Sequence, residues 1–224
     1  MIDYVLVRSK RRSISIYVRD GGVEVRAPFG ASKRNIDNFV SSKEYWITGK
    51  LAELSRQSEI KAGFSLDYGD KILLRGTPRA ITGKNVLRAE SDGESFYIPP
   101  DLPPGQIKSV CVQLYHEIAR TYLSARTAFF AARMGVSPAS VRVGGAKTLW
   151  GSCSAKKNIR FSWRLVMADD DVIDYVVVHE LAHLVEMNHS YRFWEVVGDV
   201  LPDHMARRAR LRALQRKLKT EDWD

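Results

Sequence analysis

Residues 171–187 read DVIDYVVVHELAHLVEM, and the rest of the chain is best read outward from them. Val172, Ile173, Val176, Val177, Val178, Leu181, Leu184 and Val185 would surround a helix built on this stretch, so the predicted helix is apolar almost all round and belongs in a core. Asp169, Asp170 and Asp171 stand at its start, where acids suit the positive end of the helix dipole. A buried helix should not carry His179, Glu180 and His183 without a reason. Residues four apart lie one above the other on a helix face, so both imidazoles can reach one ion. Glu180 is turned by about 100° from His179, which puts its carboxylate beside a metal rather than on it. There it can take a proton from zinc-bound water, whose pKa the ion lowers to about 7. Core histidines bonded to backbone carbonyls would explain neither the spacing nor the carboxylate between them.

His189 follows His179 by ten residues, the spacing of the metzincin pattern HExxHxxGxxH. A continuing helix would carry it about 15 Å along the axis, so the helix must stop soon after Glu186 and turn back. Glu186 stands where that pattern has glycine, and Asn188, tolerant of left-handed dihedrals, is the expected turn residue. The metal ligands are therefore expected to be His179, His183 and His189, with Glu180 as catalytic base and Zn2+ as cofactor. A carboxylate from Glu186 or Glu195 is the alternative third ligand. Three protein ligands leave one position open, whereas a structural zinc is normally closed by four. Hydrolysis is the leading expectation. Zinc-dependent hydrolysis of nucleotides or phosphoanhydrides and a non-catalytic zinc-binding module are the alternatives.

On either side of this helix the chain changes character. Residues 2–28 read as short strands, with ISIYV (14–18) and VEVRA (23–27) separated by a turn at Asp20, Gly21 and Gly22. Ser32 opens one predicted helix to about residue 56. Residues 64–98 return to β character. IPPDLPPG (98–105) resists both helix and sheet and is the expected boundary. Residues 1–105 are thus expected to form a β-rich N-terminal region with one helix, and 106–224 a catalytic core. In that core, 106–134 fits a long helix with Ile107, Val110, Leu114, Ile118, Tyr122, Ala125 and Phe129 inward, ended by Gly135. Residues 136–144 and 158–166 read as strands.

Hydrophobic content of 45% and charged content of 27% are ordinary for a globular protein, and no apolar run approaches a bilayer span. The opening MIDYVLVRSKRR lacks the apolar stretch of a secretory signal, and two cysteines, Cys111 and Cys153, cannot build a disulfide framework. A cytoplasmic setting with free thiols and no membrane partner is expected. The net charge of +9 keeps nucleotide or nucleic acid open as a partner. Much of the excess lies in HMARRARLRALQRKLK (204–219), whose Leu211, Leu214 and Leu218 predict a docked terminal helix with a solvated basic face.

WGSCS (150–154), the strand after it, HELAH (179–183) and NHSYRFW (188–194) occur in that order, and residues 149–197 resemble the YgjP-like metallopeptidase domain, related to the WLM and SprT-like zinc peptidases. The resemblance extends more weakly over the remainder. It implies an α+β, zincin-like catalytic core with the HExxH helix beside a small sheet, zinc on His179, His183 and His189, and a peptide or protein substrate. In such folds an edge strand pairs with extended substrate; Ile159 to Val166 is the expected strand, with an interior strand the equal alternative for that segment. An oxyanion donor is also needed. His204, Tyr191, Arg192 and His116 are candidates, although the family pattern tends to carry Tyr at His204. Phe193 and Trp194 are expected in the core.

Overall fold

The computed structural model describes residues 2–19 and 21–223. Asp20, expected in the first turn, lies outside the described residues. No helix among them is long and apolar enough to cross a membrane. The chain forms an α+β fold of two compact units, one running to Phe64 and taking in Lys219–Asp222, the other spanning Ser65–Leu218 with Trp223.

In the first unit, β2 (Ser15–Arg19) and β3 (Gly22–Pro28) pair antiparallel, and β1 (Val5–Ser9) adds in parallel on the far side of β3. Alternation along β3 turns Val23, Val25 and Ala27 inward against Ile36, Val40 and Ile47. Those three sit on α1 (Lys33–Ser42) and α2 (Glu44–Ala62), which replace the single helix expected from the sequence. Ser32 caps α1 as expected, accepting from the Asn35 amide at 3.2 Å. The break falls at Lys43. The Ser42 hydroxyl donates to the Phe39 carbonyl at 2.7 Å and the Lys43 amide to Val40 at 3.0 Å, so local bonds close the turn that a continuous helix would use.

The second unit begins with β4 (Lys71–Leu74), β5 (Thr77–Gly83), β6 (Glu90–Ser91) and β7 (Ser95–Ile98), in sheet order β4-β5-β7-β6. The division between units therefore falls at Phe64 rather than in the proline-rich segment. That segment is tied down from both sides. The Tyr68 hydroxyl donates to the Pro99 carbonyl at 2.6 Å and accepts from the Leu102 amide at 2.9 Å. From α3 (Pro104–Met134), Tyr115 donates to the Leu73 carbonyl at 2.5 Å. Gly135, at φ +64, ends α3 as expected. The buried stripe of α3 is Ile107, Cys111, Leu114, Tyr115, Ala119, Leu123, Thr127, Phe130 and Ala131, so only Ile107 and Leu114 were placed correctly from periodicity. Phe129 is 52% exposed, and Tyr122 is held at the margin by Asp170, its hydroxyl donating at 2.8 Å.

A second sheet has the order β8-β10-β9, from β8 (Ser140–Gly144), β9 (Gly151–Cys153) and β10 (Asn158–Ser162). β10 is the middle strand, parallel to β8 and antiparallel to β9, so of the two readings of 159–166 the edge strand is excluded and the interior strand is the one found. Trp163–Met167 coil into a short 3-10 helix, and Trp163 packs under the ring of Tyr115. Next come α4 (Asp170–Ala182), α5 (Tyr191–Val200) and α6 (His204–Leu218).

Asp169 sits at the N-cap of α4 but makes no capping bond through its side chain. The acids there are engaged from outside the helix. Arg75 grips both carboxylate oxygens of Asp170, and Arg126 grips Asp174 at 2.7 and 2.8 Å. Arg75 and Gly76 form the tip of the β4–β5 hairpin, and their amides donate to the carbonyls of Val166 and Met167. Gly76 has φ +77, and a Cβ there would lie 1.8 Å from Asp169 Oδ1 and 3.1 Å from its Cα. Gly93 has a similar φ of +90 with open space around it. Gly76→Ala is expected to lower unfolding free energy in urea by about 1–3 kcal/mol, and by more than Gly93→Ala. Equal losses would show that the contact with Asp169 carries nothing.

Candidate metal centre

α4 is buried on nearly every side, with Val172, Ile173, Tyr175, Val176, Val177, Val178, Leu181 and Ala182 in the core. Its C-terminal end brings His179 and His183 to one face. The helix stops earlier than the sequence indicated, with His183 already the C-cap. Amides of Leu184 and Val185 donate back to Leu181 and Ala182 at 2.9 and 3.0 Å, a tight turn built from bonds three residues long. Asn188 does not supply a left-handed turn, since it is absent from the positive-φ residues. Its side chain instead accepts from the Ser190 amide at 2.9 Å, and Ser190 caps α5. The reversal returns His189 to the other two histidines.

One ring nitrogen from each of His179, His183 and His189 lies within 4.8 Å of the others, a group able to hold a metal ion. His179 Nε2 and His189 Nε2 are 3.1 Å apart. Two nitrogens on one tetrahedral zinc at 2.0–2.1 Å would stand about 3.3 Å apart, so the separation fits. His183 Nδ1 lies 3.2 Å from the Glu186 carbonyl, which orients the ring and leaves Nε2 for the centre. His179 Nδ1 is buried with no hydrogen-bond partner. Burial, reinforced by His183, His189 and Arg208, pushes the His179 pKa down to about 3. Burial also lowers that of His183. Unprotonated imidazoles are what a metal requires.

Phe193 is the floor of the site. It is fully buried, and its ring centroid lies 4.9, 4.6 and 4.8 Å from those of His179, His183 and His189. Trp194 borders it, 5.9 Å from both His179 and His189. The expectation that Phe193 is core holds, and its place beneath the histidine cluster is a feature that only the fold reveals.

Glu180 is only 5% exposed, and burial pushes its pKa up to about 8. Its carboxylate lies against β9. A Cβ on Gly151 would stand 2.6 Å from Glu180 Oε1 and 2.7 Å from its Cγ. The glycine of WGSC is thus the residue that lets a strand lie directly on this side chain. Cys153, in the same strand, has its thiol pKa raised by burial and then by Glu180, which does not suit a nucleophile.

Residues 12–214 match the family model described as YgjP-like, metallopeptidase domain. The chain belongs to that family. It is similar to the metallopeptidase zymogen of Pyrococcus abyssi abylysin, with 22% identity over 45% of this chain and 98% of that one, at a TM-score of 0.38. The zymogen of Methanocaldococcus jannaschii jannalysin gives 18% identity, 42% and 95% coverage, and a TM-score of 0.37. A search of curated proteins finds no match.

As a YgjP-like metallopeptidase domain, the chain is a hydrolase of peptide bonds that depends on a catalytic metal. Other sequence candidates lie outside the cluster. Neither Glu186 nor Glu195 contributes a carboxylate to the metal-binding group among the described residues. His204 stacks on Trp194 at 5.7 Å, its Nδ1 3.2 Å from the Leu201 carbonyl. His116 packs against Trp163, and Tyr191 is 80% exposed. Arg192 is exposed as well. Sequence reading missed Gly151, Tyr175 and Arg208. Tyr175 stands one turn before His179, with ring centroids 5.9 Å apart, so i,i+4 spacing could have flagged it.

Glu180 sets a sign for the metal-free protein. Its folded pKa of about 8 lies above the ordinary 4.5, so the folded state keeps a proton that the unfolded chain gives up. Stability should therefore fall as pH rises from about 5 to 8. Glu180→Gln removes that loss. In thermal melts of the chelator-treated proteins, the melting advantage of Glu180→Gln over wild type should widen across this range; a constant difference would exclude a carboxylate held in an apolar setting.

Proposed function

We propose that this chain is a zinc-dependent peptidase in which His179, His183 and His189 hold the metal and Glu180 is the general base. The observation that carries this reading is the meeting of three imidazole nitrogens within 4.8 Å at the end of a helix whose neighbouring side chain is a buried carboxylate. An all-imidazole ligand set suits zinc. When bound, the ion supplies Lewis acidity toward the scissile carbonyl and makes the attacking water more acidic.

The chain's own groups do the rest. Glu180 takes the proton from the attacking water on a carboxylate oxygen and passes it to the leaving amine nitrogen. Its burial raises its affinity for that proton between the two transfers. The Glu186 carbonyl, holding His183 Nδ1, keeps the opposite ring nitrogen turned to the centre. β9 ends its sheet, so an extended peptide pairing with its open edge would run past Gly151 and the carboxylate beneath it.

The disposition of basic residues supports a peptide over a phosphate substrate. Arg207 bonds the Asp203 carboxylate at 2.8 Å and the Asp171 carbonyl at 2.9 Å, while Arg210 pairs with Asp171 and lies near Asp169. These partners mark the N-terminal end of α4, with Asp171 about 12 Å along the axis from His179. Two of the six cations on α6, Arg207 and Arg210, thus neutralise acids away from the histidines. Cys111 and Cys153 are both free, in keeping with a reducing, cytoplasmic compartment.

Three variants test the assignment. His189→Ala should lose zinc by metal analysis. Glu180→Gln should keep it, while peptide hydrolysis falls by about 10²–10⁴. Gly151→Ala, which must displace the carboxylate, should keep zinc and lose turnover in the same direction. Full zinc in His189→Ala, or undiminished hydrolysis in Glu180→Gln, would sink the assigned roles.

A further inference from the structure

Arg208 stands apart from its neighbours on α6. It is half-buried, and its guanidinium carbon lies 5.3 Å from the ring centroid of Trp194. That ring is in turn 5.9 Å from His179 and from His189. Arg207 and Arg210 are matched with acids, whereas Arg208 makes no hydrogen bond or ion pair among the described residues.

A cation without a counter-ion next to a histidine cluster opposes both protonation and the arrival of a metal ion. It is favourable there only toward a negative group that arrives with the ligand. The guanidinium sits over the Trp194 ring in a cation–π contact, and with no acceptor among the described residues its N–H fork is left for a bidentate acceptor. An oxyanion donor must come within about 3 Å of the reacting oxygen, and Arg208 lies one aromatic ring away from the histidines. Its partner therefore belongs to a flanking position.

We propose that Arg208 determines specificity by binding a carboxylate of the peptide substrate beside the scissile bond. The inference rests on the peptidase reading above for the word substrate, and its test separates the two. The zinc-loaded Glu180→Gln chain, with and without Arg208→Gln, would be titrated calorimetrically with blocked hexapeptides carrying one Asp at each position in turn, and with their Asn counterparts. A further arm carries a free C-terminus in place of the amide, which distinguishes a side-chain carboxylate from a terminal one.

At one position the Asp peptide, or else the free-acid arm, should bind about tenfold tighter than its neutral partner, the size of one charge-assisted contact of about 1.4 kcal/mol. In Arg208→Gln that ratio should fall to near one, and Arg208→Lys should restore part of it. If Arg208 only braces Trp194, Arg208→Gln will weaken charged and neutral peptides alike, and the inference fails. It also fails if no peptide binds, or if the ratio survives the substitution. A wild-type, zinc-loaded chain that shows the preference yet leaves every peptide uncut would overturn the peptidase reading alone.

Discussion

Two imidazoles one turn apart on a helix can meet a third from the same stretch of chain only if the helix ends at once. Every additional residue of α4 would carry His189 about 1.5 Å further along the axis. The structure meets this constraint by making His183 both the second of the helix's two contributors to the cluster and the helix cap. Its backbone closes the helix, and its Nδ1 faces the Glu186 carbonyl in the turn that follows. The reversal runs without a left-handed residue. It relies on short backbone bonds at Leu184 and Val185 and on Asn188 bracing Ser190, which starts α5. α5 then returns Phe193 beneath all three rings. The cluster and its floor are thus made by fifteen consecutive residues, 179–193.

Such a segment needs a fixed support, and the opposite end of α4 provides it. The acids at its start would repel one another if left unpaired. Arg75, Tyr122, Arg126 and Arg210 meet them from a hairpin, from α3 and from α6. Because Arg75 and Gly76 also bond the backbone of the 3-10 helix, the hairpin clamps the chain on both sides of the α4 N-terminus. Ion pairs at partly exposed sites contribute little one by one. Several converging on one helix end fix its position, and with it the height at which Glu180 meets Gly151's strand.

The cluster could be read in the sequence because helical spacing is local geometry. HELAH followed by His189 leaves few other ways to satisfy three imidazoles and a carboxylate in an apolar helix. What could not be read depends on contacts distant in sequence. The α3 stripe was misplaced because Phe129 and Tyr122 are apolar or amphipathic by type, yet Phe129 lies under Arg126 and Tyr122 serves Asp170. β10 reads as a strand with edge and interior positions equally open, since pairing partners are not encoded in alternation. IPPDLPPG reads as a linker because prolines break regular structure, but Tyr68 binds it on two sides. Asn188 suggests a left-handed turn by its tolerance of unusual dihedrals, whereas the turn uses its side chain, which accepts from the Ser190 amide.

Gly151 shows how sheet and helix share one requirement. A carboxylate gains proton affinity from burial, but burying Glu180 under an ordinary strand would put a Cβ into its oxygen. Leaving it beside open solvent would return its pKa toward the ordinary range. A glycine in β9 resolves the conflict. The strand covers Glu180 closely enough to exclude water while its backbone stays paired with Phe161 of β10. The cost is a strand residue with no side chain to pack and more backbone freedom to lose on folding. β10 offsets it by pairing along both edges, which holds β9 in register through the backbone, with no side chain needed at Gly151. On this argument the WGSC motif and the HExxH motif are two halves of one arrangement: the first supplies the surface against which the second keeps its carboxylate poised.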